Sequence, residues 1–479
     1  MTHKQRSCSR TPKCKKQTRG LAEECGVFGV WGHPEAGLLT HYGLYALQHR
    51  GQESAGMAVL ADDQNIVPRR GMGLVSDAFD RDDIKNLKGS ASVGHVRYST
   101  AGESTLRNAQ PLMVRMQATS WALAHNGNLV NASQLRENLE KEGSIFQTTS
   151  DTEVIAHLAA RANGDIVRER LHEALNKVRG AYALIVLTPH QMLCVRDPNG
   201  IRPLCLGRLE GAWVAASESC ALDAVGADFE REVRPGELVC VDDSGLSSWS
   251  LQQAQGAGGR LCIFEHIYFA RPDSNIGGFN VHQVRKDMGR LLAKDHPVDA
   301  DVVSGVPDSS ISAASGYAEE AGIPYEMGLV RNRYVGRTFI QPTDSLRQLG
   351  VRLKFNPLRK VVEGKKVVLV DDSIVRGTTS RTLIELLRGA GADEIHMRIS
   401  SPPYRYPCYY GIDTSSRNEL IAAERSVEEV KDMIGADSLA YLCSERAAQA
   451  AGGSTENFCT ACFDGSYVVP PELSEDKQS

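Results

Sequence analysis

Val367-Val-Leu-Val-Asp-Asp-Ser-Ile-Val-Arg-Gly-Thr-Thr-Ser-Arg381 decides how the second half of this 479-residue chain is read. Four apolar residues running into two acids read as a buried strand, and the Gly, Thr and Ser residues that follow read as a turn opening a helix. Ligands of open α/β sheets bind at the carboxyl ends of such strands. The turn offers an anion its backbone N–H groups and the hydroxyls of Thr378, Thr379 and Ser380, assisted by the helix N-terminus. Phosphate suits this arrangement. Asp371 and Asp372 would repel it unless they face sugar hydroxyls or share a Mg²⁺ ion. The bland alternative is an acidic pair at an ordinary strand end.

Working outward, strand-like Asp301-Val-Val-Ser304 and Lys366-Val-Val-Leu-Val370 alternate with helical stretches at 310–322 and 380–389, the rhythm of a parallel α/β sheet. Upstream the pattern changes to short strands and turns from Cys25 to about Gly245. Cys25-Gly-Val-Phe-Gly-Val-Trp31 alternates small and apolar residues, Ser120-Trp-Ala-Leu-Ala-His125 ends in an Asn126-Gly127 turn, and Ala181 to Leu187 reads as a buried strand. Helices are expected at 132–142 and 152–162, giving a layered α+β half. The soft stretch Ser247-Ser-Trp-Ser-Leu-Gln-Gln-Ala-Gln-Gly-Ala-Gly-Gly259 marks the domain boundary. The expected organisation is a leader at 1–24, domains at 25–255 and 256–470, and a polar tail at 471–479.

Composition narrows the function class. A chain 42% hydrophobic and 24% charged is globular, and its longest apolar run, about seven residues, is far short of the ~20 that span a bilayer. No membrane role is expected. A net charge of −5 argues against general nucleic-acid binding. The twelve Cys are too scattered for a secreted disulfide framework and read as reduced thiols of a cytoplasmic protein. Charge is uneven: residues 1–24 hold seven Lys/Arg and two Glu, and residues 331–360 hold eight Lys/Arg against the single acid Asp344. The first segment lacks the apolar core of a secretory signal, leaving a transit peptide or a removable leader. The second, around Arg331-Asn-Arg-Tyr-Val-Gly-Arg-Thr-Phe-Ile340, reads as a solvated face, an RNA-binding patch, or a mobile lid whose Arg333 and Arg337 would neutralise an anion.

The 367–381 string resembles the ribose-5-phosphate loop of the type I phosphoribosyltransferases, which bind phosphoribosyl pyrophosphate (PRPP). That resemblance implies a PRPP site made of Asp371, Asp372, Arg376, Gly377, Thr378 and Thr379, closed by Arg333, Tyr334 and Arg337.

Cys25 opens the first domain directly after the basic leader. A free α-amino group has a pKa near 8, so an N-terminal Cys carries its own general base; as encoded, its nitrogen is an amide and no base. A cut after Glu24 is therefore expected. Alone, such a Cys is more often a small buried hydrophobe. Its companions are His95-Val-Arg-Tyr-Ser-Thr100, Ala124-His-Asn-Gly-Asn128 and Ser150-Asp-Thr-Glu153. The set resembles the class II glutamine amidotransferases, which belong to the N-terminal-nucleophile hydrolases. The resemblance implies Arg97 for the substrate carboxylate, Asp151 for its ammonium, and Asn126 with the Gly127 N–H as oxyanion donors.

With Glu265-His-Ile-Tyr-Phe-Ala-Arg-Pro-Asp-Ser274 and Gly305-Val-Pro-Asp-Ser-Ser310, the ordered set resembles the glutamine-dependent PRPP amidotransferases over nearly all of Glu23 to Gly465. That implies an αββα glutaminase domain followed by an α/β type I phosphoribosyltransferase domain. It also implies Mg²⁺ held through Ser309, Asp371 and Asp372, glutamine and PRPP as substrates, inhibition by purine nucleotides, and a homotetramer. A sugar-making amidotransferase would lack the Asp371-Asp372 loop; a non-catalytic PRPP sensor would not need Cys25, Arg97 or Asp151. Cys459-Thr-Ala-Cys462 alone reads equally as two buried thiols or half a metal site. One branch of the resembled family carries a [4Fe–4S] cluster, whose remaining ligands match Cys262 and Cys408. Four thiolates suit zinc as well, so chemistry alone does not choose.

Overall fold

A computed structural model of the chain describes residues 25–98, 104–116, 119–254, 258–332, 353–412, 414 and 417–471. The leader, the tail from 472 onward and the lid residues Arg333, Tyr334 and Arg337 lie outside the described residues.

The first half is built from two antiparallel sheets packed face to face. One has seven strands, with Gly26–Trp31 at its centre between Ala212–Ala216 and Ala91–Arg97. The other has six, with Gly180–Leu187 between Thr119–Leu129 and Met192–Arg196. Strand alternation sends Val27 and Trp31 into the inter-sheet core with Ala122, Ala124 and Ile185, while Phe28 and Val30 face the opposite way, under helix Ala36–Ala46. Helices Ala132–Lys141, Thr152–Arg161 and Val167–Leu175 cover the other outer face through Leu139, Val154, Ile155 and Leu171. The result is the expected four-layer αββα sandwich. Because both faces of each sheet are covered, Gly26–Trp31 and Gly180–Leu187 are buried along their whole length.

Two local expectations are corrected. Asn126-Gly127 is no turn: the strand Thr119–Leu129 runs through it, Asn126 pairing with Ala183 and Gly127 with Tyr182. Asn-Gly is a strong hairpin signal, but long-range pairing prevails over it here. The stretch read as a soft linker begins as the edge strand Gly245–Ser250, paired to Glu237–Asp242 and anchored by Trp249, over whose ring the Arg168 guanidinium lies at 4.0 Å.

The second half holds a four-stranded parallel sheet, in order Val302–Gly305, Lys366–Asp371, Glu394–Ile399 and Ser438–Tyr441. Helices Val281–Asp295 and Ile311–Ala321 pack on Val303, Val368 and Val370. Helices Thr378–Gly389 and Val427–Ile434 pack on Val367, Leu369, Ile395 and Met397 on the opposite face. Covering on both faces explains why Val367 to Val370 is continuously apolar rather than alternating. Ala181 and Ile201 of the first half join this second core, so the halves share buried contacts. Among the described residues no helix is long and apolar enough to cross a membrane.

Candidate active sites and a cysteine cluster

Strand Lys366–Asp371 delivers its two acids to the carboxyl edge of the parallel sheet. Ser310 Oγ donates to Asp371 Oδ1 at 3.0 Å, as does the Asp372 N–H at 2.9 Å. Asp372 accepts from the hydroxyls of Ser309 and Ser373, both at 2.5 Å. Burial, and for Asp371 the charge of Asp372 beside it, hold both carboxyls above the usual range, Asp371 well above. Four donors serve the pair, and the charges of Lys354 on Asp371 and of Arg285 on Asp372 offset only part of the cost of burying it.

Past the acids, Gly377 takes φ +76° before helix Thr378–Gly389, a left-handed conformation that favours glycine. A Cβ there would meet Ile421 Cδ1 at 2.6 Å. Thr378 and Thr379 stand exposed in the first helical turn, while Ser380 is buried. The Arg376 guanidinium pairs with Glu419, leaving its Nε and Nη1 buried without a hydrogen-bond partner among the described residues.

Cys25 immediately precedes the central strand of the seven-stranded sheet and is buried, its thiol donating to the Tyr98 carbonyl at 3.3 Å. Burial pushes that thiol up to about 11. Arg97, at the end of neighbouring strand Ala91–Arg97, is 3.8 Å from Glu53, and both it and Asp151 are close enough for their charges to act on the thiol. Asp151 precedes helix Thr152–Arg161. Its Oδ2 accepts from the Leu129 N–H at 3.0 Å, and His125, 3.6 Å from Oδ1, holds the carboxyl below its usual range against the push of burial. Asn126, fully buried, has both side-chain amide atoms without a hydrogen-bond partner among the described residues. Gly127 has φ +137°, and a Cβ would stand 2.1 Å from the Ala181 carbonyl oxygen. Sequence reasoning missed Glu53 and the buried Arg50, whose Nε donates to the Cys25 carbonyl at 3.1 Å. The signal was available: a polar run, Gln48-His-Arg-Gly-Gln-Glu53, follows an apolar helix.

The four cysteines singled out by resemblance converge. Cys262 lies opposite Cys459 where two short strands pair in parallel. Cys462 is raised chiefly by burial and then by the proximity of Cys262, Cys408 and Cys459. Cys408 Sγ accepts from the Tyr410 N–H at 3.4 Å. Among the described residues no three His, Cys, Asp or Glu side chains form a group that could hold a metal ion. Cys443 is exposed at the start of helix Ser444–Ala450.

Comparison with known proteins follows the same division. A family model described as a glutamine amidotransferase domain matches residues 95–224, and one described as a phosphoribosyl transferase domain matches 281–400. An amidophosphoribosyltransferase of Bacillus subtilis is 52% identical over 465 residues, covering 96% of this chain and 97% of that protein. One of Synechococcus elongatus is 50% identical, covering 95% and 94%. A solved B. subtilis glutamine PRPP amidotransferase, complexed with ADP and GMP, superposes with a TM-score of 0.89 at 52% identity, over 95% of this chain and 99% of that one.

Proposed function

The chain belongs to the amidophosphoribosyltransferase family, and from that premise we propose which of its residues perform each part of the reaction. It is a glycosyltransferase with glutamine amidotransferase activity, acting on glutamine and PRPP in purine biosynthesis.

Cleavage after Glu24 frees the Cys25 α-amino group. A thiol held near 11 by burial is protonated at neutral pH and needs a base at hand, and the new amine supplies one. The thiol passes its proton to the amine as sulfur attacks the glutamine amide carbon. Arg97 holds the substrate carboxylate, Asp151 its ammonium, and the Asn126 amide with the Gly127 N–H takes the developing oxyanion. Ammonia leaves, and water hydrolyses the thioester to glutamate. At the second site Thr378, Thr379 and the helix N-terminus grip the 5-phosphate, aided by Gly377 and Arg376. Ammonia attacks C1 and pyrophosphate departs toward Arg333, Tyr334 and Arg337, leaving 5-phosphoribosylamine. The acid pair, held above the usual range by burial and, at Asp371, by the charge of Asp372 beside it, fits Mg²⁺. Ser309, Asp371 and Asp372 would hold that ion, which when bound neutralises pyrophosphate charge.

The cluster reading extends the family assignment. Cys262, Cys408, Cys459 and Cys462 are mutually close and mostly buried, which fits a [4Fe–4S] group tying the C-terminal segment to the transferase core. A cytoplasmic homotetramer with domains at 25–255 and 256–470 belongs to the same proposal, as does inhibition by purine nucleotides, the last supported by the ADP and GMP bound to the B. subtilis relative.

The observation that carries the residue assignment is the placing of a buried Cys25 thiol within reach of the charges of Arg97 and Asp151. Its test is Cys25→Ser: glutamine-dependent synthesis should fall at least ~10³-fold, the scale of losing a nucleophile, with ammonia-dependent synthesis retained. Loss of both rates together refutes it.

A further inference from the structure

Directly behind Cys25 lies a buried ion-pair network that no step above uses. Arg50 grips Glu265 with both terminal nitrogens, Nη1 to Oε2 at 3.0 Å and Nη2 to Oε1 at 2.7 Å, and Nη1 also reaches Glu218 at 2.5 Å. All three side chains are fully buried. Arg202 Nη1 lies 3.5 Å from Glu265 Oε1, and its Nε and Nη2 donate to the Tyr410 carbonyl at 3.1 and 2.5 Å. Arg50 and Arg202 belong to the glutaminase half, Glu265 to the segment that opens the transferase half.

Burying ions is costly, and a buried pair is weak evidence for stability by itself. The position of this one is informative. The remaining nitrogen of Arg50, Nε, donates to the Cys25 carbonyl, and a Cβ built on Gly26 would lie 3.4 Å from Arg50 Cδ. The guanidinium therefore anchors the Cys25–Gly26 peptide plane, to which the Cα carrying the Cys25 amine and thiol side chain is joined. A bidentate carboxylate is the partner that best fixes the rotation of a guanidinium.

We propose that Glu265, a transferase-side carboxylate, is a positioning residue for the glutaminase nucleophile, acting through Arg50 on the Cys25 carbonyl. This rests on the assignment of Cys25 as nucleophile. Substrate-holding Arg97 and Asp151 sit outside the network, so the effect falls on kcat rather than on KM.

The experiment compares Glu265→Gln and Glu265→Asp with the unmodified enzyme for glutamine hydrolysis and for ammonia-dependent synthesis. Gln keeps the shape but turns an amide N–H toward a guanidinium. Since misplacing a reacting group by ~1 Å costs about a hundredfold, a partial release should lower kcat for glutamine roughly tenfold, with KM within about twofold. Asp keeps the charge and should recover at least about threefold of that loss. Ammonia-dependent synthesis should be unchanged in both. If Gln disrupts folding, Asp still reads the effect as a lower kcat at unchanged KM. An unchanged kcat in a folded variant overturns the proposal, as does a parallel fall of both rates, which marks a purely structural role. Cys25→Ser is assayed alongside: retained glutamine hydrolysis there refutes the nucleophile assignment itself, a different failure from an inert Glu265.

Discussion

Replacing Asp371 with Asn should stabilise the metal-free enzyme while destroying its activity. Asp371 Oδ1 accepts from Ser310 and from the Asp372 N–H, and an Asn carbonyl oxygen accepts both. What disappears is a buried charge beside another. Two unit charges ~5 Å apart at an effective dielectric of ~20 repel by roughly 3 kcal/mol. The native pair relieves part of this by protonation, which is what the raised carboxyls express, so a net gain of about 1–2 kcal/mol is expected near pH 8. For a unit of ~200 residues that raises the midpoint by roughly 2–8 °C. The pH sense is fixed by the direction of the shift. A carboxyl raised in the folded state binds its proton more tightly there than when unfolded. Native stability therefore grows as pH falls below the raised value, and the advantage of Asn shrinks toward pH 5. Thermal unfolding in EDTA from pH 5 to 8.5 reads this. Mg²⁺ with PRPP should raise the midpoint of the native enzyme and leave the variant unmoved, while both glutamine- and ammonia-dependent synthesis fall at least ~100-fold, the scale of losing an electrostatic contact to the transition state. A variant less stable than the native chain at pH 8 in EDTA, or one whose advantage grows on acidification, would refute the reasoning.

Gly127→Ala should cost ~1–3 kcal/mol of local strain from its φ alone, and more from the 2.1 Å approach to the Ala181 carbonyl. Glutamine hydrolysis should drop about a hundredfold or further with ammonia-dependent synthesis spared, and equal losses would contradict a local effect at the oxyanion donors. Protein purified without oxygen should be brown, with about four irons and four sulfides per chain, and Cys408→Ser or Cys459→Ser should lose them; stoichiometric zinc, or iron indifferent to these changes, rules the cluster out. Arg337→Ala should raise the KM for PRPP roughly tenfold in both reactions, as removal of one charge-assisted phosphate contact does; an unaltered KM excludes that Arg from the lid.

The elements read correctly from the sequence are those whose residues answer to local rules. The strand at 366–371 and the helix after Gly377 announce themselves because an apolar run, an acidic end and a helix-opening turn are coded within fifteen consecutive residues. Helices at 132–141 and 152–161 follow from their 3.6-residue periodicity. Asn126-Gly127 shows the limit: its local signal says turn, but the neighbouring strand Gly180–Leu187 supplies hydrogen bonds that keep the chain extended. The edge strand Gly245–Ser250 was hidden likewise, its Ser-rich composition meaningful only once Glu237–Asp242 lies beside it.

The chemistry divides in the same way. Sequence by itself pointed to the two reactions, through the resemblance carried by Cys25 with its companion motifs and by the Asp371-Asp372 loop. Only the tertiary structure decided what holds them. Nothing near Arg50 announces a partner at Glu265, 215 residues away, and nothing near Cys262 announces that Cys459 will pair opposite it. Such contacts join residues with no local relation, and they exist because closing the two cores on each other leaves these charges and thiols no water, so that each must find its partner wherever the fold brings one.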